Sequence, residues 1–129
     1  MTRYVIDAWA WIEYLIGSKH GSKLKEILDD TNNEVFTCAV TLAEVVSKVA
    51  KEKRDFEAAC ALLLSNSRII DADENISKLA GLLHAEIGYK EKDFGLADSY
   101  VLATARKLGV KVLTGDPHFK SIKDAVLIK

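Results

Sequence analysis

Short runs of β-branched and aromatic residues alternate along the chain with longer stretches whose apolar residues recur every three or four positions. Tyr4-Val5-Ile6 predicts a strand ending at Asp7, and Trp9, Ile12 and Ile16 follow at helical spacing with Gly17 as the stop. A second helix begins over Lys23 to Leu28. Val35 to Cys38 reads as another strand, followed by helices from about Leu42 to Lys51 and from Phe56 to Leu64. Arg68-Ile69-Ile70 is a third strand, and Ile76, Leu79, Ala80 and Leu83 mark the helix after it. Ala97 to Lys107 is helical with Val101, Leu102 and Ala105 on one face, and Gly109 stands where a C-cap glycine belongs. Val110 to Leu113 and Ala125 to Ile128 complete five strands.

Strands that are short, continuous and apolar, with helices between them, belong to a mostly parallel sheet covered on both faces. The expected fold is therefore an α/β three-layer α/β/α sandwich with a mostly parallel sheet of about five strands. The chain has 129 residues, and two halves of it would be too small for good cores, so one domain over 1–129 is expected.

Composition narrows the function classes. The formal net charge is −1, so nothing pulls the whole molecule towards nucleic acid or an anionic membrane, and any such contact must be local. No stretch approaches the roughly 18 consecutive apolar residues of a membrane span. Asp7 and Glu13 interrupt the opening segment where an export signal would be apolar. Cys38 and Cys60 are too few for a disulfide framework and read as buried, reduced thiols in a cytoplasmic protein.

Candidate chemistry comes from four acids. Asp7 closes the first strand, Glu44 lies in the first turn of the helix after the second, and Asp116 follows the fourth strand through Thr114-Gly115. Asp98 opens the helix leading into that strand, and reaches the same edge only if the loop before it returns there. In open parallel sheets, ligands bind beyond the carboxyl ends of the strands, where these acids would stand. Each also has a capping explanation. Asp7 can N-cap a helix, Thr41 and Glu44 match a capping box, Asp98 offsets a helix dipole, and Asp116 precedes proline at a first helical position. Capping does not explain why all four should share one edge. Two carboxylates about 4 Å apart repel by about 4 kcal/mol at an effective dielectric near 20, so a converging set needs a cation or a proton. Oxygen-only ligands suit a hard ion, Mg²⁺ or Mn²⁺, and such ions also bind phosphate oxygens.

The stretch GLADSYVLATARKLGVKVLTGDPHF resembles the C-terminal half of a PIN domain, where an acid opens a helix and a strand then delivers Thr-x-Asp. YVIDAWAWIEYLIG is similar to that family's first strand and helix, and TLAEVVSKV to its glutamate-bearing helix. The blocks occur in family order and span essentially the whole chain. The resemblance implies a Mg²⁺- or Mn²⁺-dependent endoribonuclease with one or two ions, acting on single-stranded or loop RNA. At this length the chain looks most like the VapC toxins of prokaryotic toxin–antitoxin pairs, which implies a homodimer and a small antitoxin that blocks the site. Motif by motif, Asp7, Glu44, Asp98 and Asp116 become the catalytic, metal-holding acids, with Thr114 a supporting polar residue. Thr114 would bond an acid or a metal-bound water, or else satisfy a backbone group at the strand end.

Other features weigh less. His20, His84 and His118 lack metal-ligand spacing and read as structural or surface residues. Trp9 and Trp11 cannot share a helix face, so one belongs to the core, and the other packs at a rim, stacks on RNA or lines a dimer interface. Asp71, Asp73 and Glu74 read as a helix start, and Lys51 to Asp55 and Lys90 to Asp93 as solvated turns. A receiver domain also has an acidic magnesium pocket, but needs paired acids after its first strand, where this chain has Ala8 and Trp9. An Asp-x-Asp phosphatase fails at the same tryptophan. A PIN fold that binds RNA or protein without cleaving it remains the alternative.

Overall fold

The computed structural model describes residues 2–128. Five strands, β1 (Arg3–Ile6), β2 (Glu34–Cys38), β3 (Arg68–Ile70), β4 (Lys111–Thr114) and β5 (Ala125–Leu127), form one sheet in the order β3-β2-β1-β4-β5. Every neighbouring pair is parallel. Six helices connect them: α1 (Ala8–Leu15), α2 (Gly21–Asp29), α3 (Ala39–Lys51), α4 (Phe56–Asn66), α5 (Glu74–Ile87) and α6 (Leu96–Leu108), with a 3₁₀ turn at Pro117–Phe119.

Strand alternation assigns the two faces. Val5, Phe36 and Val112 point to one side and are buried under α5 and α6 with Val101, Leu102 and Phe94. Ile6 and Leu113 point to the other and are buried under α1, α3 and α4 with Trp11, Val45 and Leu63. The expected three-layer sandwich is what forms, because strands this apolar on both faces must be covered twice.

Element boundaries shift in one place that matters. The helix after β2 starts at Ala39 with Cys38 as its N-cap residue, not near Leu42. Thr41 is therefore inside the helix and fully buried, and no Thr41–Glu44 capping box forms. Glu44 sits in the second turn instead of the first. The apolar residues Val45 and Val49 repeat correctly in either frame, so periodicity alone could not locate the start. Gly109 does end α6 in the left-handed region, at φ 67°. Cys38 is buried and Cys60 only partly so, both as free thiols.

The strand order reverses between β1 and β4, which opens a crevice past their carboxyl ends. Their register sets Ile6 opposite Leu113, and Asp7 N donates to Leu113 O at 3.2 Å. The next residues on each strand, Asp7 and Thr114, are thereby neighbours.

Candidate active site

A cleft of about 930 Å³ lies at this crevice, and Asp7, Glu44, Asp98 and Asp116 all line it. Its floor is held by one hydroxyl. Thr114 Oγ1 donates to Asp7 Oδ2 and accepts from Asp116 N at 2.9 Å, so a single side chain ties the ends of β1 and β4 together. Both functions foreseen for Thr114, bonding an acid and satisfying a backbone group, occur at once. The other oxygen of Asp7 accepts from Ala10 N at 2.9 Å and caps α1.

Capping and ligation turn out to be compatible, because a carboxylate has two oxygens. Asp116 caps the 3₁₀ turn with Oδ1, accepting from His118 N at 2.9 Å. Asp98, third in α6, reaches back with Oδ2 to Gly95 N at 2.9 Å. The Glu44 carboxylate makes no hydrogen bond among the described residues and stands on the exposed α3 wall of the cleft.

Asp98 reaches the common edge because the loop before α6 does return there. Phe94 in that loop is buried and packs edge-on against Phe119 of the 3₁₀ turn, with ring centroids 5.2 Å apart. That pair fastens the start of α6 to the segment carrying Asp116. An oxygen of Asp98, one of Asp116 and a ring nitrogen of His118 consequently lie within 4.8 Å of one another.

His118 was missed by its spacing. Its Nδ1 sits 2.9 Å from Asp116 Oδ1. The available signal was the Asp116-Pro117 cap itself, which draws residue 118 back onto the capping carboxylate. The tryptophans divide as expected. Trp11 is core, donating from Nε1 to Thr37 Oγ1 at 3.1 Å, and Trp9 lines the cleft, half-buried. The six-membered ring of Trp9 covers Gly115, where a Cβ would come within 2.0 Å of it. Only glycine fits between Thr114 and Asp116.

The electrostatics show a site short of positive charge. Burial, opposed by the bonds from Thr114 and Ala10 and reinforced by Asp116 and Asp98, pushes the Asp7 carboxyl up to about 7. Partial burial and Asp98 raise Glu44. Asp98 is raised by burial and by Asp116, against the Gly95 amide and His118. Three carboxyls shifted the same way are those a bound cation would restore to the charged form. Oxygen donors with one imidazole within reach suit a hard divalent ion.

Residues 4–125 match the model of the PIN domain. This chain belongs to the PIN domain family. The fold of this PIN domain is shared by several solved structures. One is a toxin–antitoxin complex from Klebsiella pneumoniae, at 22% identity, TM-score 0.76 and 98% coverage of both chains. Another is VapBC2 from Rickettsia felis bound to a promoter DNA fragment, at 20% identity, TM-score 0.75, covering 98% of this chain and 97% of that one. A third is VapC20 of Mycobacterium tuberculosis, described as a sarcin-ricin loop cleaving toxin, at 18% identity, TM-score 0.69, covering 84% and 85%. No curated protein compared with this PIN domain matches it significantly. No helix among the described residues is long and apolar enough to cross a membrane.

Proposed function

We propose that this PIN domain is a divalent-metal-dependent endoribonuclease, the toxin of a toxin–antitoxin pair, working in the cytoplasm on single-stranded or loop RNA. The observation that carries this reading is the convergence of Asp7, Glu44, Asp98 and Asp116 on one cleft with three of their carboxyls raised. Asp98 and Asp116 each keep one carboxylate oxygen free of hydrogen bonds to the described residues, and with Asp7 they are the groups to hold Mg²⁺ or Mn²⁺ directly or through water. Glu44, unpinned on the opposite wall, is placed to complete the ligand set or to orient the attacking water. When bound, one or two such ions would supply an activated water and stabilise the leaving oxygen of the RNA phosphodiester. Thr114 keeps Asp7 and Asp116 at a constant separation while this happens. His118 fixes the orientation of Asp116. A small antitoxin that covers the cleft accords with the structural relatives described as a toxin–antitoxin complex and as VapBC2, and a homodimer belongs to the same proposal on the family resemblance alone.

The test is cleavage of mixed single-stranded and structured RNAs, including total cellular RNA, by the purified protein with Mn²⁺ or Mg²⁺, against EDTA and an Asp98→Asn variant. Metal-dependent cleavage that disappears in both controls is expected. Losing an ion ligand should lower the rate by three orders of magnitude or more, roughly, since several kcal/mol of transition-state stabilisation go with it. Undiminished cleavage by Asp98→Asn overturns the site. No cleavage of cellular RNA in any metal, by folded protein free of inhibitor, makes the chain a binding module instead.

A further inference from the structure

The cleft extends well beyond the acids, and its two long walls differ in chemistry. On α3, Glu44 is followed at one-turn spacing by Ser47 and Lys48 and then by Lys51, and all four line the cleft. A rise of about 1.5 Å per residue puts Lys48 about 6 Å and Lys51 about 10 Å along the helix from Glu44. They are the only lysines or arginines lining the cleft among the described residues. Lys48 has an exposed partner in Glu52 at 3.8 Å, a pairing too long and too solvated to hold it. The facing wall, α1, offers Trp9 and Ile12, with Glu13 turned to Ser18 beside them, and Glu52 lines the cleft next to the lysines. A net charge of −1 leaves the molecule with no general attraction for RNA, so these two cations are placed where a local one is needed.

We propose that the α1–α3 cleft is a single-strand track in which Lys48 and Lys51 take backbone phosphates further along the strand, on one side of the phosphate held at the acids. This rests on the nuclease reading above and adds the path of the substrate to it. Advancing about 3.4 Å per stacked nucleotide, a strand running along α3 from the level of Glu44 meets the two lysines about two and three nucleotides further on. Trp9 and Ile12 give the bases apolar contact opposite the phosphates, through the part of the Trp9 ring that Gly115 and His20 leave open to the cleft. Phosphate contacts of this kind position a strand without reading its sequence.

Binding of a short, labelled, mixed-sequence single-stranded RNA in Mg²⁺ tests the track, read by fluorescence anisotropy over roughly 50 to 200 mM salt. The Asp98→Asn protein is the parent, so that the probe survives, and it is compared with the same protein carrying Lys48→Gln, Lys51→Gln or both. Each lost phosphate contact should make the plot of log affinity against log salt shallower by about 0.7, and the double variant by about 1.4. Lys25→Gln, on α2 and outside the cleft, should leave the slope unchanged. A double variant that binds with the parent's slope overturns the track. So does loss of a protein partner's grip with no change in the RNA slope, which would make the strip a protein contact. A parent that binds no RNA also removes it; the wild-type cleavage assay then tells whether the nuclease reading falls too.

Discussion

The floor of the cleft and its α3 wall carry acids of the same kind in opposite settings. Asp7 is 3% exposed, bonded through both oxygens, and joined to Asp116 through Thr114. Glu44 is exposed, its carboxylate bonded to nothing among the described residues, and followed along its helix by exposed lysines, of which Lys48 has only the solvated Glu52 as partner. Preorganised groups lower the cost of reaching a transition state because they need not rearrange, whereas long mobile side chains suit a flexible strand that arrives in many conformations. On the proposed nuclease reading the difference separates positioning of the chemistry from capture of the substrate, and it can be broken from the floor outwards.

The largest effect should come from the support beneath the floor. Phe94→Ala removes the buried ring that holds the start of α6 against Phe119, at a cost of about 3–5 kcal/mol. Denaturant unfolding should show that loss, and residual folded protein should bind Mn²⁺ more weakly, since Asp98 and Asp116 are no longer held together. Full metal affinity in a destabilised Phe94→Ala protein would show that the aromatic pair serves stability alone.

The charge state of the floor comes next. With its carboxyl raised to about 7, Asp7 keeps a proton in the folded protein that the unfolded chain releases nearer pH 4. The metal-free protein should therefore lose stability as pH rises between about 4 and 7, by a few kcal/mol from this group, and then level off. In Asp7→Asn that decline should shrink. A divalent ion should compete with the proton, so its stabilisation should grow over the same pH range. Denaturant midpoints at pH 5 and 8, with EDTA or Mn²⁺, measure both trends. An Asp7→Asn protein with the wild-type pH profile would mean that Asp7 is charged throughout.

A smaller loss is expected at the knot itself. Thr114→Val keeps the shape but leaves Asp116 N without its acceptor and Asp7 Oδ2 without its donor, worth about 1–3 kcal/mol. Cleavage should fall more than stability does, because two acids lose their common tether. Equal activity with reduced stability would confine Thr114 to a structural part.

Much of this was legible from residue order. Apolar runs such as Tyr4-Val5-Ile6 and Val110 to Leu113 are too continuous for a half-exposed strand, and the helices between them demanded a parallel sheet. The acids could be named because each falls just past a strand or at a helix start, where topology exposes it. The start of α3 was misplaced because Val45 and Val49 fit either frame, which put Glu44 one turn too early and suggested a capping box that does not form. His118 was read as structural or surface because spacing rules search for ligand pairs along the chain. It lies against Asp116, and the Phe94–Phe119 contact between two loops brings Asp98 near both.

The sequence by itself determined the fold class and the strand and helix identities and nominated four candidate acids, since those depend on local periodicity and on residue type. Only the tertiary structure decided that Asp98 returns to the crevice, that Thr114 bridges Asp7 to Asp116, and that Trp9 sits over Gly115. Those three facts come from strand register and loop packing, and such contacts join positions up to 107 residues apart that no local pattern encodes.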